Sequence, residues 1–135
     1  MNGYAPVYRS ALLFNSYLYR SERAAFIAWT LDALRRSGRD PQGLRFLDAG
    51  CGTAELLELL ADSGCRQLYG IDIASGMLSV ARRCVPQAGL VRARIEEESL
   101  AAESVDVLVA GDRVHHLLEP STFFAMAQRV LRPGG

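Results

Sequence analysis

The sequence contains no lysine: all fifteen basic residues are arginine, and fifteen acidic residues balance them to a net charge of zero. A chain without excess positive charge is poorly suited to binding nucleic-acid phosphates, so we expect no nucleic-acid partner. No apolar run approaches the about 20 residues that a bilayer-spanning helix needs, and the first twenty residues do not resemble a signal peptide. We therefore expect a cytoplasmic protein with no membrane partner.

Cysteine is also scarce. The three cysteines, Cys51, Cys65 and Cys84, form no CxxC or CxxH pair, which argues against a disulfide framework and against a zinc site. We expect reduced thiols and no bound metal. Half of the 135 residues are apolar, so residues 1–135 are sufficient for a single domain with its own hydrophobic core.

Residues 1–43 are predicted to form a helical lid or cap on the rest of this domain. Ser21 is a candidate N-cap with Glu22 in the first turn, and apolar residues recur at helical spacing as far as about residue 37. Phe26 and Trp29 belong to this stripe, so we expect them in the core. An Asp-Pro-Gln-Gly turn signal ends the segment.

Residues 44–135 alternate short apolar runs with helical stretches, a pattern typical of βαβ units around a mainly parallel sheet. The predicted strands are residues 44–49, 67–72, 89–93 and 105–110, and the predicted helices are residues 55–62, 76–84 and 121–131. The fourth strand is almost continuously apolar, as expected of a strand buried on both faces. We therefore expect a Rossmann-like α/β fold with helices on both faces of the sheet.

The segment FLDAGCGTA, residues 46–54, leads from a strand through a glycine turn into a helix, and Asp72 ends the next strand twenty residues after Gly52. This arrangement is typical of a nucleoside-binding βαβ unit. Glu55 stands where a dinucleotide-binding loop has its third glycine, and Asp48 adds a second negative charge. Both charges disfavour a diphosphate, which makes a nicotinamide-dependent oxidoreductase the weaker alternative.

A sulfonium nucleoside, which carries no phosphate, suits this loop. Gly50 and Gly52 let the backbone approach a ligand closely, and Asp48 suits an ammonium group. Asp72, at the carboxyl end of its strand, can accept hydrogen bonds from both hydroxyls of a ribose. The simpler alternative is that the two glycines serve only a tight turn.

These residues resemble the class I S-adenosylmethionine-dependent methyltransferases, particularly the small-molecule branch. The resemblance is carried by the glycine loop, by a ribose-binding segment at residues 70–78, by residues 96–100, by the fourth strand with the loop after it, and by a closing motif at residues 129–135. It implies a sheet of order 3-2-1-4, S-adenosyl-L-methionine as the cofactor, and methyl transfer to a small-molecule acceptor. The alternative is a non-catalytic S-adenosylmethionine-binding or stabilising subunit of a partner methyltransferase.

The resemblance also implies further cofactor-binding residues. Ile73 and Met77 lie in the ribose-binding segment, and Glu96 takes the place of the residue that reads the adenine amino group, although it also fits a solvated acidic run. Gly111 and Asp112 follow the fourth strand and are expected near the methionine moiety and the methyl group.

His115 and His116 follow the fourth strand, at the edge where ligands of open α/β sheets bind, and imidazole titrates in a useful range for a general base. His116 is the preferred candidate, and packing against the ligand is the alternative for both. Arg20 and Arg23 are expected to be exposed, unless the N-terminal helix closes as a lid and brings one of them to the ligand carboxylate.

Members of the family continue from the Pro-Gly-Gly turn into a fifth strand, a helix and an antiparallel sixth and seventh pair. Relative to that pattern the chain lacks the C-terminal part of the domain, and its sheet is truncated after the fourth strand and its helix. We therefore expect the apolar edge of the fourth strand to be covered by a homodimer partner or by another chain.

Overall fold

Four parallel strands form one sheet in the computed structural model of this chain, and helices cover both of its faces. The structure describes the backbone of residues 4–95, 100–110 and 120–135, and the side chains of residues 20–95, 100–110 and 121–135. The strands are β1 (Arg45–Ala49), β2 (Gln67–Asp72), β3 (Gly89–Arg92) and β4 (Val107–Val109), and the helices are α1 (Tyr4–Arg36), α2 (Glu55–Asp62), α3 (Ser75–Cys84) and α4 (Pro120–Val130). The sheet order, β3-β2-β1-β4, confirms the expected one.

Two apolar clusters, one on each face of the sheet, form the core. Helices α1, α2 and α3 pack on one face, where Phe46 of β1 and Leu68 of β2 are buried. Helix α4 packs on the other face against Leu47 of β1 and Ile71 of β2. Because successive side chains of a strand point to opposite faces, β1 and β2 supply side chains to both clusters. None of the helices in the described parts of the chain has the length and apolar character that spanning a bilayer requires.

The outer strands are shorter than the sequence predicts. Strand β3 ends one residue before Ala93, and β4 covers only the centre of residues 105–110. Val105 instead forms an isolated parallel bridge with Leu131, which follows α4. The sequence pattern marks the whole apolar run, but Val105 pairs with the returning chain, and the regular ladder with β1 begins at Val107.

Asp106 holds this region together at the end of the sheet away from the glycine loop. One of its carboxylate oxygens, Oδ2, accepts a hydrogen bond of 2.8 Å from the backbone N–H of Arg45, and Oδ1 lies 3.7 Å from the guanidinium groups of Arg39 and Arg132. Arg39 also donates to the carbonyl oxygen of Gly134. The closing Pro-Gly-Gly turn is therefore anchored to the start of β1.

Helix α1 corrects two expectations about the N-terminal segment. It begins at Tyr4 and runs through Ser21, so the expected start at Ser21 is wrong. A capping signal only marks a possible start, and here the preceding residues are themselves helical. Phe26 and Trp29 are 49% and 68% exposed, so their expected place in the core is also wrong. Periodicity reports a repeating face but not which face meets the core, and the buried face of α1 carries Ile27 and Leu31 instead.

Gly70, in the middle of β2, makes room for the glycine loop. A Cβ at this position would lie 2.8 Å from Sγ of Cys51 and 3.0 Å from Cδ2 of Leu90. Cys51 is itself 93% buried, since its exposed fraction is 7%. The loop therefore packs directly on the backbone of β2, and only glycine permits that approach.

We predict that Gly70→Ala destabilises the protein by about 1–3 kcal/mol, the usual range for overpacking a filled core. Denaturant unfolding measures the change. Gly43→Ala is the matched control, because a Cβ there meets nothing within 4 Å. Adding Cys51→Ala to Gly70→Ala should recover part of the loss, and equal stabilities for the two glycine variants would contradict the prediction.

Candidate functional site

The glycine loop joins β1 to α2 at the carboxyl end of the sheet. The backbone N–H groups of Gly50 and Cys51 both donate to the carbonyl oxygen of Ile71 in β2, at 2.8 and 2.9 Å. Gly50 has φ +80° and Gly52 has φ +56°, a region that side chains disfavour. The path of the backbone therefore favours glycine at both positions, which is the tight-turn role expected from the sequence as the simpler alternative.

Ala54 adopts the same left-handed conformation, with φ +71° and ψ +32°, immediately before α2. Its N–H donates to the carbonyl oxygen of Cys51, and its own carbonyl oxygen accepts the N–H of Glu58. The methyl side chain of Ala54 makes no capping hydrogen bond to the helix. The N-cap residue of α2 therefore gives no side-chain hydrogen bond to the first backbone N–H groups of the helix.

Asp72 connects the loop to the turn after β2. Its Oδ2 accepts a hydrogen bond of 2.8 Å from the N–H of Gly52, and its Oδ1 accepts one of 2.9 Å from the N–H of Ala74. A carboxylate offers about four acceptor positions. Each oxygen of Asp72 therefore retains the capacity to accept one further hydrogen bond, which is what a pair of neighbouring hydroxyls requires.

Three other predicted cofactor-binding residues belong to β1, to the turn after β2 and to α3. Asp48 of β1 is 2% exposed and pairs in register with Gly70 of β2. Ile73, directly after Asp72, is 52% exposed. Met77 lies in the first turn of α3 and is half-buried. The fold thus brings an acidic strand end, an exposed apolar side chain and the glycine loop to one edge of the sheet.

Glu55, the first residue of α2, forms an ion pair with Arg23 of α1. Each side chain is about one-quarter exposed, so Arg23 is not the free surface residue that the sequence suggests. The partners are 32 positions apart, and no local pattern could have indicated the contact. The pair ties α1 to the glycine loop and places a positive charge beside the acidic first turn of α2.

The remaining predicted site residues lie outside the described residues; they are Glu96, Gly111, Asp112, His115 and His116. Among the residues that are described, no group of three or more histidine, cysteine or acidic side chains is arranged to hold a metal ion.

Comparison with known proteins shows which family this chain belongs to. Residues 47–135, more than half of the chain, match the methyltransferase domain. The chain belongs to the methyltransferase domain family. The matched region begins in β1 and includes the glycine loop, Asp72 and α4.

Two curated relatives illustrate the likeness of this methyltransferase domain. It is 35% identical over 99 residues to the ubiquinone biosynthesis O-methyltransferase of Leptothrix cholodnii, covering 69% of this chain and 42% of the relative. It is 28% identical over 142 residues to a ubiquinone/menaquinone biosynthesis C-methyltransferase of Campylobacter jejuni, covering 99% of this chain and 58% of the relative. The chain therefore spans about half the length of these relatives.

Solved structures agree with the fold of the methyltransferase domain. An S-adenosylmethionine-dependent methyltransferase from Mesorhizobium loti superposes with a TM-score of 0.66 and 27% identity, covering 77% of this chain and 49% of that one. The PH0226 protein of Pyrococcus horikoshii gives a TM-score of 0.73 at 24% identity, covering 87% of this chain and 55% of that one. The second likeness is evidence of the fold alone.

We predict that the Arg23–Glu55 pair stabilises the docking of α1 by about 0.5–1 kcal/mol, the upper part of the range for partly exposed ion pairs. A double-mutant cycle of Arg23→Ala and Glu55→Ala, measured by denaturant unfolding, isolates this coupling. The effect of Glu55 on the dipole of α2 cancels in the cycle.

The exposed pair Arg36–Asp32, four residues apart within α1, is the matched control. Its coupling should be about 0.3–0.5 kcal/mol. High salt should weaken both couplings. A coupling of zero for Arg23–Glu55 at low salt would contradict the prediction.

Proposed function

We propose that this methyltransferase domain binds S-adenosyl-L-methionine in the glycine loop, and that the protein transfers the methyl group to a small-molecule acceptor. The observation that carries the proposal is the carboxylate of Asp72, which is fixed by the N–H groups of Gly52 and Ala74 while both oxygens keep acceptor capacity. A ribose presents two adjacent hydroxyl donors to such a carboxylate.

The other described residues fit the same cofactor. Gly50 and Gly52 would let the cofactor approach the backbone of the glycine loop closely. The first N–H groups of α2 would bind the carboxylate of the cofactor. Asp48 would favour its ammonium group by charge. Ile73 would contact the base through the apolar surface that it exposes, and Met77 would lie beside it. We extend the proposal to the sequence candidates Glu96 for the adenine and Gly111 with Asp112 for the methionine part.

The charges around the loop support a nucleoside without phosphates. Glu55 and Glu58 both lie in the first turn of α2, where a diphosphate would otherwise meet the positive end of the helix dipole. Arg23 pairs with Glu55. A nicotinamide dinucleotide would bring further negative charge to the same place, so it fits this site less well.

When bound, S-adenosyl-L-methionine supplies a methyl group that the positive sulfur activates for in-line displacement. The protein then has to hold the acceptor in line and, for a hydroxyl or an acidic carbon, accept its proton. We propose His116, or His115, as that general base. The relatives named for ubiquinone biosynthesis suggest a phenolic or quinone-type ring as a candidate acceptor.

We predict that isothermal titration gives a measurable Kd for S-adenosylhomocysteine and much weaker binding of NAD. Asp72→Asn should raise the Kd for S-adenosylhomocysteine by about tenfold to one-hundredfold, because hydrogen bonds to a charged group contribute about 1.5–3 kcal/mol. Asp62→Asn, an exposed change at the end of α2, is the control and should leave the Kd unchanged. Tighter binding of NAD than of S-adenosylhomocysteine would overturn the proposal.

We propose the cytoplasm as the location of this protein, because its three cysteines form no CxxC or CxxH pair in the sequence and suit a reducing compartment. Cys51 and Cys65 are buried, and burial raises the pKa of Cys65, with Arg35 opposing and Asp40 adding to that shift.

We also propose that the outer edge of β4 is covered in solution by a second copy or by a partner chain. Within the described residues β4 pairs only with β1, and Val107 and Leu108 are half-buried. An open apolar edge is a template for pairing with another strand. This part of the proposal concerns the assembly and is independent of the ligand.

We predict that light scattering during size-exclusion chromatography of the isolated chain shows a mass that rises with concentration towards a dimer. Covering the edge with a partner chain should abolish that rise. A soluble monomer at every concentration would contradict the proposed edge contact.

A further inference from the structure

The turn after β2 is held at one particular peptide group. In the peptide that joins Ile73 to Ala74, the carbonyl oxygen of Ile73 accepts a hydrogen bond of 3.1 Å from Nε of Arg92. The N–H of the same peptide, on Ala74, donates to Oδ1 of Asp72 at 2.9 Å. The orientation of this peptide plane is therefore fixed from both ends.

Arg92 is the last residue of β3, and it pairs in register with Asp72. Its side chain is exposed, so the hydrophobic core does not depend on it. Next to it, the N–H of Ala93 donates to the carbonyl oxygen of Asp72 at 3.2 Å. The end of β3 thus supports the turn through one backbone hydrogen bond and one side-chain hydrogen bond.

The carboxylate of Asp72 depends on this support. Gly52 fixes the direction of Oδ2, whereas Oδ1 is fixed only through the N–H of Ala74 among the hydrogen bonds of the described residues. If the Ile73–Ala74 peptide rotates, that N–H turns away and the carboxylate can swing about its bond to Cβ. Two-point acceptance of a ribose needs both oxygens in place, and lost preorganisation lowers affinity.

We propose that Arg92 is a positioning residue for the ribose-binding carboxylate: it holds the Ile73–Ala74 peptide, and through it Oδ1 of Asp72. This inference rests on the proposed binding of S-adenosyl-L-methionine. It adds a surface arginine, outside the glycine loop and the strand that carries Asp72, to the residues that determine how the ribose is recognised.

The test compares two ligands and two variants by isothermal titration. The ligands are S-adenosylhomocysteine and its 2′-deoxyribose analogue, which lacks one of the hydroxyls that Asp72 would accept. The Kd of the deoxy analogue divided by the Kd of S-adenosylhomocysteine measures ribose recognition separately from general binding. This quotient is the Kd ratio used below. The variants are Arg92→Gln and, as the control, Arg94→Gln, which removes the same charge from another exposed position two residues away.

We expect the wild-type protein and Arg94→Gln to share the same Kd ratio. In Arg92→Gln the ratio should fall by about threefold to tenfold, the effect of one net hydrogen bond, while the Kd of the deoxy analogue stays nearly constant. Thermal unfolding confirms that both variants remain folded. A purely structural role for Arg92 would weaken both ligands equally and leave the ratio unchanged.

The outcomes separate the inference from the function on which it rests. If the wild-type protein fails to bind S-adenosylhomocysteine, the proposed function is wrong and the inference falls with it. If it binds both ligands equally, cofactor binding stands, but Asp72 does not recognise the missing hydroxyl and the inference is wrong. If the wild-type protein discriminates and Arg92→Gln discriminates equally well, only the positioning role is wrong. An equal loss of discrimination in Arg92→Gln and Arg94→Gln would also overturn it, because the effect would then be one of charge.

Discussion

The hydrogen bond from the N–H of Gly52 to the carboxylate of Asp72 is the contact on which the site depends. It joins the glycine loop after β1 to the end of β2, two segments that are twenty residues apart in the chain. The same carboxylate organises the following turn through the N–H of Ala74. One buried side chain therefore fixes the relative position of the loop and the turn, and a ligand that contacts both meets a site whose two halves are already in register.

The charges near the loop are arranged around this contact rather than around an anion. Asp48 and Asp72 are buried at neighbouring strand ends, and Glu55 opens α2. Burying carboxylates is unfavourable unless hydrogen bonds or positive charges compensate them. Backbone N–H groups compensate Asp72 and Arg23 compensates Glu55. This distribution favours a ligand with cationic and hydroxyl groups over one with phosphates.

Most of the sheet could be predicted from the sequence, but few of the contacts that connect the helices to the sheet could be. The two central strands, the glycine positions and Asp72 follow from local patterns, because a buried parallel strand and a left-handed turn restrict which residues can occupy them. The ends of β3 and β4 did not follow, since they depend on which segment each residue pairs with. The exposed faces of Phe26 and Trp29 did not follow, since the choice of face depends on packing partners. The contacts of Arg23 with Glu55 and of Arg92 with Ile73 join distant segments, and no spacing rule encodes them.

Ala54 indicates how far the loop is shaped by the protein itself. A non-glycine residue in the left-handed region is disfavoured by about 1–2 kcal/mol, yet Ala54 keeps φ +71° while its side chain is fully buried. Its N–H and its carbonyl oxygen are both used, by Cys51 and by the first turn of α2. Such a conformation persists only where its surroundings determine it. Burial of its side chain and these two hydrogen bonds therefore hold the end of the loop and the start of α2 to the core in one conformation.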